Sequence, residues 1–379
     1  MTLVSTVVAC ASVTSHYEEA RLSALEDPGM AASDFAPDAE ILLSGSLLDG
    51  LATEAAVGQR LAGALDLGLV AVHADLRVRH LSLVPADAPD AIALDTHLDG
   101  TLTARSLLGA TSTPIALDAT VEAALGVDGR PDGAWLVTAT PASIRRLDLE
   151  VPGLARGAVD SWLQEVLLDV LPAFVVAAPG DAGLPVRGLR VRASDGGVRI
   201  DLRTAAPRPE PLRGPAPMPA EGFRISISTA SLVQVAAARA FEEGPLAHGV
   251  VVEPTSLAAR PGDGQHLPLT LGLTLWRPVG RGWWRSYEIE GRLALEDDGV
   301  RVVPERVDEL GHSRGAAAAD PLAAVAHGSI ARAIERALTL SWTGATGARV
   351  GGAGAVVRLV ELAAPPGAVR ADGTVDLKR

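Results

Sequence analysis

The sequence contains no asparagine, a single lysine (Lys378) and a single cysteine (Cys10). One cysteine excludes a disulfide within the chain and leaves a Cys-ligated structural zinc without its ligand set. Aromatic residues make up only 3% of 379 residues, so the 48% apolar content is carried by Leu, Val and Ala. That content, with 21% charged residues, places the chain among globular rather than disordered proteins. No run of about 18 apolar residues occurs, so no helix is written to span a bilayer. Positive charge is nearly all Arg, and the net charge is −13 at pH 7. A balance this acidic argues against nucleic acid, whose phosphates need a basic footprint, and against electrostatic docking on anionic lipid.

What is present is organised around a proline-rich stretch, Ala205 to Gly222, with Pro207, Pro209, Pro211, Pro215, Pro217 and Pro219. Proline fixes φ and offers no N–H, so this stretch reads as an extended linker over 205–222. The chain on either side reads as one order of elements written twice, over 39–204 and 223–379.

In the first half, Ile41-Leu42-Leu43 opens the domain and Ser46 to Leu67 follows at helical spacing. The period then becomes 2. Val72, Ala74, Leu76 and Val78 alternate with polar residues, as do Ile92, Leu94, Thr96 and Leu98, and then Ile115, Leu117, Ala119, Val121 and Ala123. Strands with one apolar and one wet face are the pattern of antiparallel sheet. Trp135 to Leu149 adds a further strand. Val159, Trp162, Leu163, Val166, Leu167, Val170 and Leu171 then form the clearest amphipathic helix in the chain. A hairpin with the turn Asp195-Gly196-Gly197 closes the half. The second half repeats this: a strand at Arg224–Ser228, a helix at Ala230–Phe241, and alternating strands through Leu267–Leu275 and Tyr287–Leu295. A late helix follows with Ile330, Ile334 and Leu338 on its apolar side, then a closing hairpin. Val191-Arg192-Ala193, Asp195-Gly196 and Ile200-Asp201-Leu202-Arg203 echo Val369-Arg370-Ala371-Asp372-Gly373 and Val375-Asp376-Leu377-Lys378. A period this long is duplication of a whole domain, not a solenoid. The fold class is α+β: tandem domains, each a long twisted antiparallel sheet wrapped around a long helix.

The N-terminal 1–38 is a lead-in. Val7-Val8-Ala9-Cys10 has the form of a bacterial lipobox, in which Cys10 is lipidated and the following residues are a tether. Only nine residues precede it and none is Lys or Arg, short of a signal peptide's charged start and apolar region. The alternative is an ordinary terminus with a free thiol.

Chemical motifs are few. His73 and Asp75 share one strand face, and Asp95, His97 and Asp99 share the next. They could hold a metal, but a solvated face with cross-strand ion pairs to Arg77 and Arg79 fits the pattern better. Gly311-His312-Ser313 sets His beside Ser without the Gly-x-Ser-x-Gly elbow of a hydrolase. Trp283-Trp284 beside Trp276 either dips into a membrane interface or packs between hairpins. No residue is assigned to catalysis or to a metal, and no cofactor motif is present.

Several one-faced strands with two helices per half leave an apolar groove unless side chains fill it. Leu and Val offer area at about 25 cal/mol per Å² without fixing a ligand's orientation. The tandem order of elements and the proline-rich linker resemble the TULIP superfamily of tubular lipid-binding proteins, and its two-domain, BPI-like members in particular. The resemblance implies a non-enzymatic carrier of lipid or another hydrophobic ligand in the bacterial cell envelope. It implies a ligand lining of Trp162, Leu163, Val166, Leu167 and Val170 in the first half and Ile330, Ile334 and Leu338 in the second. The membrane would be reached through an anchor at Cys10; a cytoplasmic location is the alternative. The BPI disulfide and the basic lipopolysaccharide-binding tip have no counterpart in this sequence. The rival expectations are an envelope lipoprotein whose interior is filled by its own side chains, and a hydrolase using His312 or the His73/His97 cluster.

Overall fold

The computed structural model describes residues 2–26, 35–66, 70–84, 86, 88, 90–106, 109–129, 135–149, 156–170, 174–177, 185–194, 196–245, 249–279, 282–296, 299–313, 349–350 and 353–378. The chain is α+β and mostly antiparallel. Helix α1 (Thr2–Ala24) comes first, then strand β1 (Ala39–Ser44) and helix α2 (Gly45–Ala56). A meander follows: β2 (Arg60–Asp66), β3 (Val70–Val84), β4 (Ala91–Ser106), β5 (Gly109–Gly129) and β6 (Trp135–Leu149). Helix α3 (Arg156–Val170), β7 (Phe174–Ala177) and the hairpin β8 (Val186–Ser194) and β9 (Gly197–Thr204) complete this part. Beyond the proline-rich stretch come β10 (Phe223–Ser228) and α4 (Thr229–Glu243). The strands β11 (Val251–Ala259), β12 (His266–Arg277), β13 (Trp283–Glu296) and β14 (Gly299–His312) form a second meander. Three more strands end the described chain: β15 (Arg349–Val350), β16 (Ala353–Ala363) and β17 (Ala368–Lys378).

Three sheets result. The meanders make a curled six-stranded sheet, β2 to β7, and a four-stranded sheet, β11 to β14. Between them runs a seven-stranded sheet in the order β15-β16-β17-β10-β1-β9-β8. At its middle the two opening strands pair antiparallel, with Ile41 opposite Ile225. Each is flanked by a closing hairpin, β9 and β8 on one side, β17 and β16 on the other. Both opening strands end in a serine that caps the next helix: Ser44 Oγ accepts from Leu47 N, and Ser228 Oγ from Ser231 N. Such caps satisfy amide groups that a helix leaves orphaned at its start.

The two faces of the central sheet differ in kind. Ala39, Ile41, Leu43, Ile200, Ile225 and Ile227 face the main core. The other face is charged. Arg199 donates to Glu40 at 3.0 Å, and Arg224 grips Asp372 through two bonds of 2.8 Å. Burial pushes the Glu40 carboxyl above the ordinary glutamate range, and Arg199 opposes the rise. The proline-rich stretch, extended and without helix or strand, lies over this face. The Ala216 carbonyl accepts from Arg199 and the Pro217 carbonyl from Arg224, each at 2.7 Å. Gln234 of α4 holds the Arg208 backbone through two further bonds.

Several expectations are corrected. The helix predicted over Ser46–Leu67 stops at Ala56, because Val57 turns extended and the chain enters β2, where Leu61 sits in the core opposite Leu76. In the sequence echo Asp372-Gly373 stands in the place of Asp195-Gly196, but it lies inside β17. The hairpin partner is β16, and the glycine is needed because the Phe223 ring and the Arg358 carbonyl crowd the place of a Cβ. The echo across the halves is therefore Arg199-Ile200-Asp201 of β9 with Arg370-Ala371-Asp372 of β17, each flanking an opening strand. The N-terminal lead-in is not a loose tether over its described part. Tyr17 of α1 packs edge-on against Phe241 at 5.6 Å and Trp276 at 6.1 Å, and Val13 is buried beside Gly282. Among the described residues no helix is long and apolar enough to cross a membrane. The predicted late helix with Ile330, Ile334 and Leu338 lies outside the described residues.

Candidate functional site

The first candidate is the apolar face of the six-stranded sheet. Alternation turns Val72, Leu76, Leu98, Leu102, Leu117 and Val121 to one side, and all are buried in the main core. Helix α3 brings Trp162, Leu163 and Leu167 into the same core, with Leu163 and Leu167 fully buried. Val166 packs against it partly exposed. The helix seats closely on β2: a Cβ at Gly63 would stand 2.8 Å from Val166 Cγ2 and 3.2 Å from Trp162 Cζ2. The predicted lining residues Trp162, Leu163, Val166 and Leu167 are thus brought together against the sheet. Val170 ends α3, and its side chain lies outside the described residues, as does that of Cys10.

The opposite face of that sheet is a ladder of cross-strand polar pairs. Arg60 donates to Asp75, Arg79 donates to Asp99 at 2.7 Å, and Thr120 donates to Asp95 at 2.6 Å. His97 Nδ1 lies 2.6 Å from Asp118. The hydrogen bond from Arg60 holds the Asp75 carboxyl below its ordinary range, and that from Arg79 does the same for Asp99. The cross-strand pair expected of Arg79 is made with Asp99, and Asp75 pairs with Arg60 of β2. Among the described residues no three His, Cys, Asp or Glu side chains converge as a metal site.

The second candidate is one face of the four-stranded sheet. Leu269, Leu271, Leu273 and Leu275 of β12 join Tyr287 and Ile289 of β13 in a separate buried cluster, with Trp283 packed against it. The two Trp residues at the start of β13 go to opposite sides. Trp284 packs against Trp276, ring centroids 6.4 Å apart, beside α1. Strand packing, not a protruding tip, accounts for both. On that other face Trp276 Nε1 donates to Glu253 at 2.6 Å, while burial raises the Glu253 carboxyl above its ordinary range.

The apolar face of the four-stranded sheet is not apolar to its end. Arg285 stands opposite Leu275 and is buried there. Its Nη1 donates to Glu309 Oε2 at 3.1 Å, and the other oxygen of Glu309 lies 2.8 Å from His312 Nδ1. One step further out Arg277 faces Trp283. Ser313 Oγ accepts from Trp284 N–H, so the neighbouring serine and histidine have separate partners. Sequence reasoning missed Arg277, Arg285 and Glu309. The signal was parity: Arg285 is two residues before Tyr287 on the same alternating row.

No family profile matches the chain and no curated protein matches it by sequence. Solved structures with a similar course include a lipopolysaccharide binding protein, at 12% identity and TM-score 0.39 over 91% of this chain and all of that one. P47 of Clostridium botulinum E1 is similar at 7% identity and TM-score 0.44, over 90% of this chain and all of its own. P47 from Clostridium botulinum A2 has 9% identity and TM-score 0.41 over 89% and 97%. At these scores the likenesses carry no part of the argument below, which rests on this chain's own geometry.

Proposed function

We propose that the chain is a tandem-duplicated, TULIP-type carrier of a lipid or other hydrophobic ligand, without enzymatic activity, acting in the bacterial cell envelope. The observation that carries this reading is the curled six-stranded sheet, whose one continuous apolar face is set against α3. Duplication draws support from the central sheet, where Ser44 and Ser228 cap equivalent helices and β9 and β17 carry the same Arg-x-Asp on equivalent strands. The two units are 39–204 and 223–379, joined by 205–222.

In this reading Trp162, Leu163, Val166, Leu167 and Val170 line the first ligand path, and Ile330, Ile334 and Leu338 the second. Transfer is passive: apolar area leaves water inside each half, at about 25 cal/mol per Å², and returns to it on release. An acyl anchor at Cys10 would tether the molecule three residues before the buried Val13. His312 and Ser313 have separate partners, Glu309 and the Trp284 N–H, and are not bonded to each other as a nucleophile and its base would be, which favours binding over catalysis.

Lipid extraction and native mass spectrometry of the purified protein test the proposal. Bound chains of lipid mass, displaced by added fatty acid, are the expected result. Protein that carries nothing and takes up none of a fluorescent alkyl probe would sink it. That outcome favours the second reading, an interaction protein filled by its own side chains, for which the full burial of Leu163 and Leu167 speaks.

A further inference from the structure

The buried row of the four-stranded sheet is polar at one end and apolar along the rest. Residues paired directly across antiparallel strands share a face, so the register orders the row. From the outer end it runs Arg277 with Trp283, Leu275 with Arg285, Leu273 with Tyr287, Leu271 with Ile289, and on to Leu267 with Leu293. Successive pairs on one face are about 7 Å apart, so Leu273 to Leu267 makes roughly 20 Å of apolar track behind a charged head.

Among the described residues that head holds Arg277, Arg285 and His312 with one carboxylate, Glu309. Arg285 and His312 share the carboxylate of Glu309, one on each oxygen. Arg277 is left over: it is half-buried, and its Nε is shut off from solvent without an acceptor among the described residues. The indole Nε1 of Trp283, directly opposite, is in the same condition. Buried donors are nearly always satisfied in folded proteins, because an unmade bond forfeits about 1–3 kcal/mol of hydration. In a chain with 46 acidic residues against 33 basic ones, Arg277 has no carboxylate partner among the described residues, and its charge is complementary to an anion.

We propose that Arg277 and Trp283 Nε1–H, backed by Arg285, hold the oxyanion head of a single-chain amphiphile whose hydrocarbon enters along the leucine row of β12 by displacing the contacts that bury it. The occupant is a carboxylate or phosphate on an alkyl chain, the two being alike in their acceptor oxygens. A guanidinium is suited to either through two parallel N–H bonds. The inference rests on the carrier reading and adds to it: the second half selects by head group as well as by oiliness.

The test titrates the full-length protein with hexadecanoate, hexadecyl phosphate and hexadecanol against a neutral fluorescent alkyl probe. The chain is common to all three, so differences report the head. Expected is binding of one or both anions about tenfold or more tighter than the alcohol, the size of one charge-assisted hydrogen bond. The two anions ranked against each other tell carboxylate from phosphate. Arg277→Gln should remove most of that preference. Trp283→Phe, which keeps the ring and removes the N–H, should reduce it several-fold. Arg292→Gln, the same charge change on the outer face, should alter nothing. Equal binding of all three ligands, or an anion preference that survives both Arg277→Gln and Trp283→Phe, overturns the head-group site while apolar carriage stands. No binding of any of the three overturns both.

Discussion

Gly222 is the residue where the proline-rich strap turns into β10, and replacing it tests how the two halves are joined. Its φ is +68°, a left-handed backbone that costs an L-residue about 1–2 kcal/mol. Its carbonyl accepts from Ser44 N at 2.9 Å, tying the strap to the end of β1. A Cβ at this position would fall well inside 3.0 Å of the Gly373 carbonyl oxygen in β17, which is backbone and cannot swing aside. Overpacking of that kind adds about 1–3 kcal/mol. Gly222→Ala should therefore cost roughly 2–5 kcal/mol, or a fall in Tm of about 4–10 °C at about 2 °C per kcal/mol for a chain this long. Gly214, in the same strap, supplies the control. Its φ is +82°, yet a Cβ there would meet nothing within 4 Å. Gly214→Ala should lose only the backbone part, about 2–4 °C. Scanning calorimetry on both variants gives the comparison. Equal losses would refute the close seat of the strap against β17, and with it the joint described here.

Three further outcomes are expected. Leu167→Ala removes a fully buried side chain from the α3–sheet contact and should lower unfolding free energy in urea by about 2–5 kcal/mol; a loss under 1 kcal/mol would mean α3 is not seated as described. Glu253 titrates above the ordinary glutamate range in the folded protein, chiefly through burial, so the folded state holds its proton more tightly than the unfolded. Stability from this group is present at pH below the ordinary glutamate value and is lost as pH rises through the raised one. Glu253→Gln keeps an acceptor for Trp276, so its Tm should exceed that of the parent at pH 8 and converge with it near pH 4. A constant gap across that range would contradict the assignment. Tyr17→Ala removes both edge-on ring contacts of α1, each worth about 0.5–1.5 kcal/mol, and amide hydrogen exchange at residues 14–21 should accelerate; unchanged protection would show that other contacts hold the helix.

Much of the sheet was legible because alternation is a local signal. Val72–Val78, Ile92–Leu98 and Ile115–Ala123 each fall inside one strand, with the apolar parity buried as read. Helix α3 was equally plain from its 3.6-residue spacing. Illegible features depended on partners far away in sequence. Arg60-Leu61-Ala62 reads as a helical continuation until Leu76 is known to lie across from it. Gly373 stands in the place of Gly196 in the sequence echo until the Phe223 ring is placed on it. The pairing of β1 with β10 joins residues some 184 apart, and nothing local announces it. At the candidate sites, Trp162, Leu163 and Leu167 were found by periodicity. Arg285 was passed over because a charge in an alternating row is read as the strand's end, whereas here the sheet's apolar face continues beneath it.

The shared middle sheet bears on how the molecule can be taken apart. Cutting within 205–222 would not release two finished bodies, because β1 and β10 would each lose a neighbour and present a bare row of amide and carbonyl groups. β1 and β10 pair antiparallel about Ile41 and Ile225, so each fragment carries a bare rim able to pair with a second copy of itself. Half-molecules prepared for ligand studies would on this account be dimers or aggregates, and any affinity measured on them would belong to a joint the intact chain never makes.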